Sequence, residues 1–565
     1  MKTNVITVIS AALLLCCGCA RSTAELIDFQ SVNRQATEEY QIPIRNGYKG
    51  RMPFWNRFAD KYIFAPAFDF KEVDGAKSYR FTVKYVDGIY PGKPRYFWDG
   101  YVEPTYEENI ENLPDMGDGQ VWSFTADSPK ADLSPIWKDI TPGNVALKVE
   151  ALDSGGRVIG VSGGEFFLRD FPFKGPYHEA VRSYKDAAIL AANYIHSLPQ
   201  VQHWLAGEGP DATFKYYSYA CKIIGGLISS EVILANLVPA KKDECLEIAR
   251  AAADFLIGIE QGEDKPLAHF PPTYYKDFHP TAVKYAGTTM MMEATKAAEG
   301  YLDLYDCTGE KKYFDEALAI ALTYKRVQCA DGSFPIKVDF ETGEPLNEAK
   351  ATPGNVLNLW RVMESKYGVK DFAGSREKCE KWMMDCASSN FDLTGQFEDV
   401  DVLGLEPFQN LNNSTYSGYA KYLYDWAGPD DKTLQMCRDF MALTEDQFVH
   451  WDRLPCKDGF VTSVTPCVFE QYLYKTPIDA SASMVGRAFL SQYRATGDKL
   501  ALAKAKALAD ACTIAQNPVT GRCNTHWEIV PQDKRTIWFN CSMVTCKFWL
   551  EMAETLDSLK GQSAF

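Results

Sequence analysis

Twelve helical segments, joined by linkers that alternate between short and long, constrain this chain more than any other feature. Apolar residues recur with a period near 3.6 over 176–197, 214–236, 241–260, 286–305, 311–327, 354–367, 372–388, 413–427, 430–449, 479–496, 499–516 and 538–559. The linkers after the second, fourth, sixth, eighth and tenth segments are short. Those after the third, fifth, seventh, ninth and eleventh run to roughly 20–30 residues, uncommon in a compact domain unless the loops are functional. If successive helices alternate between inner and outer positions around a ring, all five long loops emerge on one face. That face is then the functional one. The expectation is an all-α (α/α)6 toroid over 176–560.

Two of the tight connections repeat a motif. Tyr305-Asp306-Cys307-Thr308-Gly309-Glu310-Lys311 and Tyr493-Arg494-Ala495-Thr496-Gly497-Asp498-Lys499 each place Gly where a left-handed helix stop is needed, and the next helix follows at once. This Tyr-x-x-Thr-Gly-(Asp/Glu)-Lys hairpin, with the alternating loops, resembles the six-hairpin glycosidase superfamily. That group includes unsaturated glucuronyl hydrolases, β-glucuronidases, polysaccharide lyases and sugar epimerases. The resemblance implies a carbohydrate-active enzyme.

Ahead of the helices the pattern is β. Tyr79-Arg80-Phe81-Thr82-Val83-Lys84-Tyr85-Val86 and Val145-Ala146-Leu147-Lys148-Val149-Glu150-Ala151 alternate strictly, with Asp74-Gly75, Asp87-Gly88 and Ser154-Gly155-Gly156 as turns. A β-sandwich of fibronectin or immunoglobulin type is expected over 45–172. The apolar Phe171-Pro172-Phe173 linker predicts that it docks on the toroid.

Residues 1–19 read as a targeting segment. Lys2 precedes an apolar run from Val5 to Leu15, too short to span a bilayer, and Leu13-Leu14-Leu15-Cys16-Cys17-Gly18-Cys19 resembles a lipobox. Cys19 is the expected lipidation site, despite an unusual Cys16. A leading β-domain behind such a signal also resembles the glycan-utilisation lipoproteins of Bacteroides-type bacteria, which implies a cell-envelope protein lipid-anchored to the outer membrane. No other stretch reads as membrane-spanning. A net charge of −16 argues against nucleic acid. Of the 16 cysteines, Cys221, Cys245, Cys379, Cys437 and Cys512 fall in helical patterns as buried thiols, and Cys456 with Cys467 is a candidate staple for one loop. No spacing suits zinc, so neither metal nor cofactor is expected.

Glycoside hydrolysis needs two carboxyl groups, one protonated and one ionised. Glu470, between Phe469 and Tyr472, is the expected proton donor. Asp479, opening the tenth helix, is the expected carboxylate kept ionised by backbone N–H groups, and Glu406 is the reserve acid. His526, Trp527, Trp538 and Asn540 suggest a sugar subsite. Lys337 and Arg535 are cations for a uronate carboxylate, and His279, Tyr285 and Asn413 are further contacts. His269 is a third histidine in the loops. The function expected is an exo-acting glycoside hydrolase on a uronic-acid-containing polysaccharide, with β-glucuronidase activity as its sharpest form. Two alternatives remain: a polysaccharide lyase using His279, Tyr285, Asn413 and Arg535, and a glycan-binding lipoprotein without catalysis.

Overall fold

A computed structural model of the chain describes residues 27–46, 52–85, 120–275, 285–385, 390–396, 405–426, 428, 430–456, 459–461, 465–527 and 537–562. Cys19, His279 and Arg535 lie outside the described residues.

Helices form in all twelve expected segments, and their contacts close a ring. Six inner helices, α5 (Ala220–Leu237), α7 (Ala294–Thr308), α9 (Gly354–Ser365), α11 (Asn413–Trp426), α13 (Asp479–Thr496) and α15 (Phe539–Gln562), touch in that order, and α15 returns to α5. Around them pack α3 (Tyr184–His196), α6 (Lys242–Gly258), α8 (Lys311–Val327), α10 (Ala373–Asp385), α12 (Asp431–Phe448) and α14 (Lys499–Ala515). Both motif glycines end their helices in the left-handed region, Gly309 at φ 73° and Gly497 at φ 74°. The sequence places inner and outer helices correctly because a hairpin turn can be short while a step to the next hairpin cannot.

α5 shows what an inner position demands. It is the one described helix long and apolar enough to cross a membrane, which corrects the expectation that no such stretch exists beyond the N-terminus. Here it is apolar because neighbours enclose it on nearly every side. Gly225 and Gly226 let two helices come close at once. A Cβ at Gly225 would lie 2.6 Å from Lys296 O, and one at Gly226 2.8 Å from the Asn540 Cα.

The β-structure expected in the N-terminal region is present. Five of its described strands make one sheet, in the order β3 (Lys61–Tyr62), β7 (Val158–Arg169), β6 (Gly143–Leu152), β4 (Ser78–Tyr85) and β5 (Val121–Ala126), antiparallel except for β3 against β7. Tyr79, Phe81 and Val83 point inward from β4, as alternation predicts. Phe68, Phe70 and the short helix α2 (Ser134–Trp137) cover that face, and the other strands described there are the short antiparallel pair Arg45–Asn46 and Met52–Pro53. A helix that the sequence reading missed, α1 (Phe29–Glu39), packs on α14, where Gln35 donates to Asp498.

The β-region docks on the toroid through buried polar contacts. Asp446 of α12 accepts from the backbone N–H of Ile63 and Phe64 at 2.6 and 2.9 Å, and Lys61 donates to Val449 O. Asp170 faces both Lys61, at 3.1 Å, and His450, at 2.8 Å. Phe173 of the apolar linker packs edge-on to Trp451. Cys467 is buried as a free thiol, so no staple to Cys456 forms.

Candidate active site

Each long loop runs from an outer helix into the N-terminus of an inner one, so the inner N-termini share a face with the loops. There a cavity of about 1090 Å3 opens, lined by the first turns of α5, α7, α9, α11, α13 and α15. Helix N-termini carry partial positive charge and favour anionic or hydrogen-bond-accepting ligands.

Glu470 reaches this cavity because of a defect in a strand. It lies in β13 (Cys467–Gln471), which pairs with β14 (Tyr474–Pro477), and the register slips between Phe469 and Gln471. A bulge re-aims the side chain at its centre, here Glu470, which lines the cavity. Asn413, at the start of α11, holds that strand end. Its Nδ2 donates to Phe469 O, Glu470 O and Ser481 Oγ at 2.8–3.0 Å, while its Oδ1 is buried with no hydrogen-bond partner.

Glu293, immediately before α7, is a carboxyl that the sequence reading missed. It lines the same cavity, with Oε2 buried and without a hydrogen-bond partner. Helices α7 and α13 are separated by two inner helices on either side of the ring, so Glu293 and Glu470 enter from opposite walls. The available signal is positional: Glu293 stands directly before an inner helix, just as Asp479 begins one.

Aromatic rings form another part of the wall. Trp538 stacks on Tyr216 at 4.4 Å between centroids, and the Lys222 ammonium lies 4.5 Å from the Trp538 ring centre. Tyr474 meets His526 edge-on, and both line the cavity with Asn540. The floor is a set of paired charges. Lys547 donates to Glu299 at 2.6 Å and to Asp303 at 3.0 Å, and Arg487 pairs with Glu551 at 2.6 Å. Burial works against the Glu299 carboxylate, but Lys547 and then Lys296 outweigh it and hold its pKa well below the usual range. Glu299 therefore stays ionised and is no proton donor.

Several expected site residues sit elsewhere. Asp479 is 2% exposed and lies behind the wall, so it does not face the barrel mouth. Its Oδ1 accepts from Ala480 N at 2.7 Å, yet burial dominates and pushes its carboxyl up to about 7, the reverse of the ionised group expected. Glu406 is exposed and ion-paired with Arg57, outside the cavity wall. Trp527 is buried in the core. Lys337, in β9 (Lys337–Asp339), is buried with its ammonium 4.3 Å from the ring centre of Tyr285, so these two meet each other on the rim and not in the cavity. His269 sits between Glu260, at 3.0 Å, and Glu316, at 3.3 Å, also outside the cavity.

A closed ring of six α-hairpins with a cavity at the inner N-termini is an (α/α)6 toroid. No family model and no curated protein matches the chain. Among solved structures, it is similar to a family 76 glycoside hydrolase from a bovine Bacteroides thetaiotaomicron strain, at 10% identity over 88% of this chain and 100% of that one, with a TM-score of 0.45. It is also similar to cellobiose 2-epimerase from Spirochaeta thermophila, at 13% identity over 66% of this chain and 98% of that one, TM-score 0.44. A polysaccharide lyase aligns at 12% identity over 78% of this chain and 59% of its own length, TM-score 0.40.

Proposed function

We propose that this chain is a carbohydrate-active enzyme, a glycoside hydrolase that cleaves a sugar chain seated in the toroid cavity. The observation that carries the reading is the pair of carboxyl side chains, Glu470 and Glu293, on opposite walls of one cavity beside the Tyr216–Trp538 stack. Glu470 donates its proton to the glycosidic oxygen as the C–O bond breaks. Glu293, at the positive end of α7, acts as the ionised partner across the ring.

The substrate class that fits best is a uronic-acid-containing glycan, with β-glucuronidase activity as its sharpest form. Lys222, Lys296 and Lys475 line the cavity among six helix N-termini, and cations of this kind suit a sugar carboxylate. Arg535 is the further cation proposed for that carboxylate. We also propose lipid attachment at Cys19, tested by loss of membrane association in Cys19→Ala.

A lyase is the second reading, because His526 and Tyr474 line the same cavity and either could serve as a base. Incubation with a panel of uronate and neutral glycans separates the two. New reducing ends without an unsaturated product support the hydrolase. An unsaturated product overturns it in favour of the lyase, and saturable binding without any product overturns catalysis. Arg535→Ala should weaken uronates about ten- to a hundredfold more than neutral sugars.

A further inference from the structure

Away from the cavity, α3, α5 and α6 meet around three side chains that the proposed function does not use. His196, Glu231 and Cys245 are 3%, 0% and 0% exposed. The His196 Nδ1 lies 2.8 Å from Glu231 Oε2 and 3.7 Å from Cys245 Sγ, and the three donor atoms fall within 4.8 Å of one another. A second observation concerns Glu231 Oε1, which is fully buried with no N–H or O–H donor, the only further donor to this carboxyl being the weak Cys245 S–H. A third concerns the other ring nitrogen. The His196 Nε2 faces the exposed Glu244 carboxylate at 3.5 Å.

We propose that His196, Glu231 and Cys245 form a binding site for a divalent transition metal of the zinc class, with Glu244 as the outer partner that orients the imidazole. Thiolate, imidazole and carboxylate are the donors that zinc accepts. A tetrahedral zinc centre spaces such donors by about 3.3–3.8 Å. The distances of 2.8 and 3.7 Å bracket that range, so a small ring rotation opens the site. The Nε2–H directed at Glu244 leaves the Nδ1 lone pair toward the cluster, the usual arrangement of a ligating histidine.

A dication displaces the Cys245 thiol proton to solvent as it binds. An imidazolium between Glu231 and Glu244 is the simpler arrangement, but it leaves Glu231 Oε1 with at most the weak Cys245 S–H donor. Bound metal ties outer α3 and α6 to inner α5, whose first turn carries Lys222 to the cavity.

The test uses the full chain, stripped by a chelator and reloaded with Zn2+ or Co2+. The expected result is one zinc per chain by elemental analysis, a thiolate-to-cobalt charge-transfer band, and a higher melting temperature in the loaded protein. Cys245→Ser should lose the band and bind zinc at least about tenfold more weakly. His269→Gln, in the separate Glu260–His269–Glu316 cluster, should change neither. Should Cys245→Ser fail to fold by circular dichroism, the exposed Glu244→Gln replaces it, with an expected loss of about 10–100-fold in affinity. Absence of the cobalt band in the wild type, wild-type affinity in Cys245→Ser or Glu244→Gln, or loss of metal in His269→Gln would each overturn the assignment.

Discussion

The mouth and the floor of the cavity use the same residue types to opposite ends. At the floor, Lys547 meets Glu299 and Asp303, Arg487 meets Glu551, and Lys421 meets Asp425. At the mouth, Glu293 Oε2, Asn413 Oδ1 and Asn540 Oδ1 are buried with no hydrogen-bond partner in the protein. Buried polar groups are normally satisfied, so the unsatisfied ones mark where a ligand or solvent completes the structure. The floor holds the ring together, and the mouth leaves polar groups open to a ligand or solvent.

The largest effect expected from this contrast is at the mouth. Glu470→Gln and Glu293→Gln should each lower turnover by about 10²–10⁴ while leaving the melting temperature close to wild type. Kinetics on the hydrolysed glycan and thermal unfolding, measured together, check this. Retention of more than about a tenth of turnover in either variant removes that residue from the chemistry.

A floor lesion should show the reverse pattern. Lys547→Met leaves Asp303 without this cation and Glu299 with Lys296 alone, a loss of about 1.5–3 kcal/mol in denaturant unfolding. Turnover per folded molecule should change far less than in Glu470→Gln. A catalytic loss without a stability loss would erase the distinction between the two regions.

Asp479 sits between these extremes, and pH separates its contribution. Its carboxyl ordinarily titrates near 3.8 and is raised to about 7 in the fold, so between these values the folded state holds a proton that the unfolded state has lost. Its contribution therefore falls as pH rises from about 4 to 7, by at most about 1.4 kcal/mol per pH unit, and is flat above. Asp479→Asn should flatten that part of the stability–pH curve. An unchanged curve would show that the carboxyl is not protonated in the fold. The smallest effect should come from Glu406→Gln, which breaks an exposed pair with Arg57 and should cost about 0–1 kcal/mol, with turnover unchanged.

The metal cluster shows where sequence reading stops. His196, Glu231 and Cys245 have no zinc-like spacing, because they come from three helices that only the packed wall brings together. The layer that covers the five-stranded sheet has a related cause. Alternation in β4 shows that one face is covered, but not whether strands or the segment carrying Phe68 and Phe70 cover it.

By itself the sequence determined the twelve helices, their pairing and the face that carries the loops. Helical period, glycine stops and linker length are local quantities, and closing a ring adds nothing to them. Only the tertiary structure decided which polar groups look into the cavity. Inner helices such as α5 are enclosed on nearly every side, so their apolar pattern does not mark the inward direction. A bulge turns Glu470 inward, while burial behind the wall raises the carboxyl of the nearby Asp479 to about 7. One lies in the strand ahead of α13 and the other opens that helix. Their roles differ because solvent access and helix contacts are set by neighbours far away in the chain.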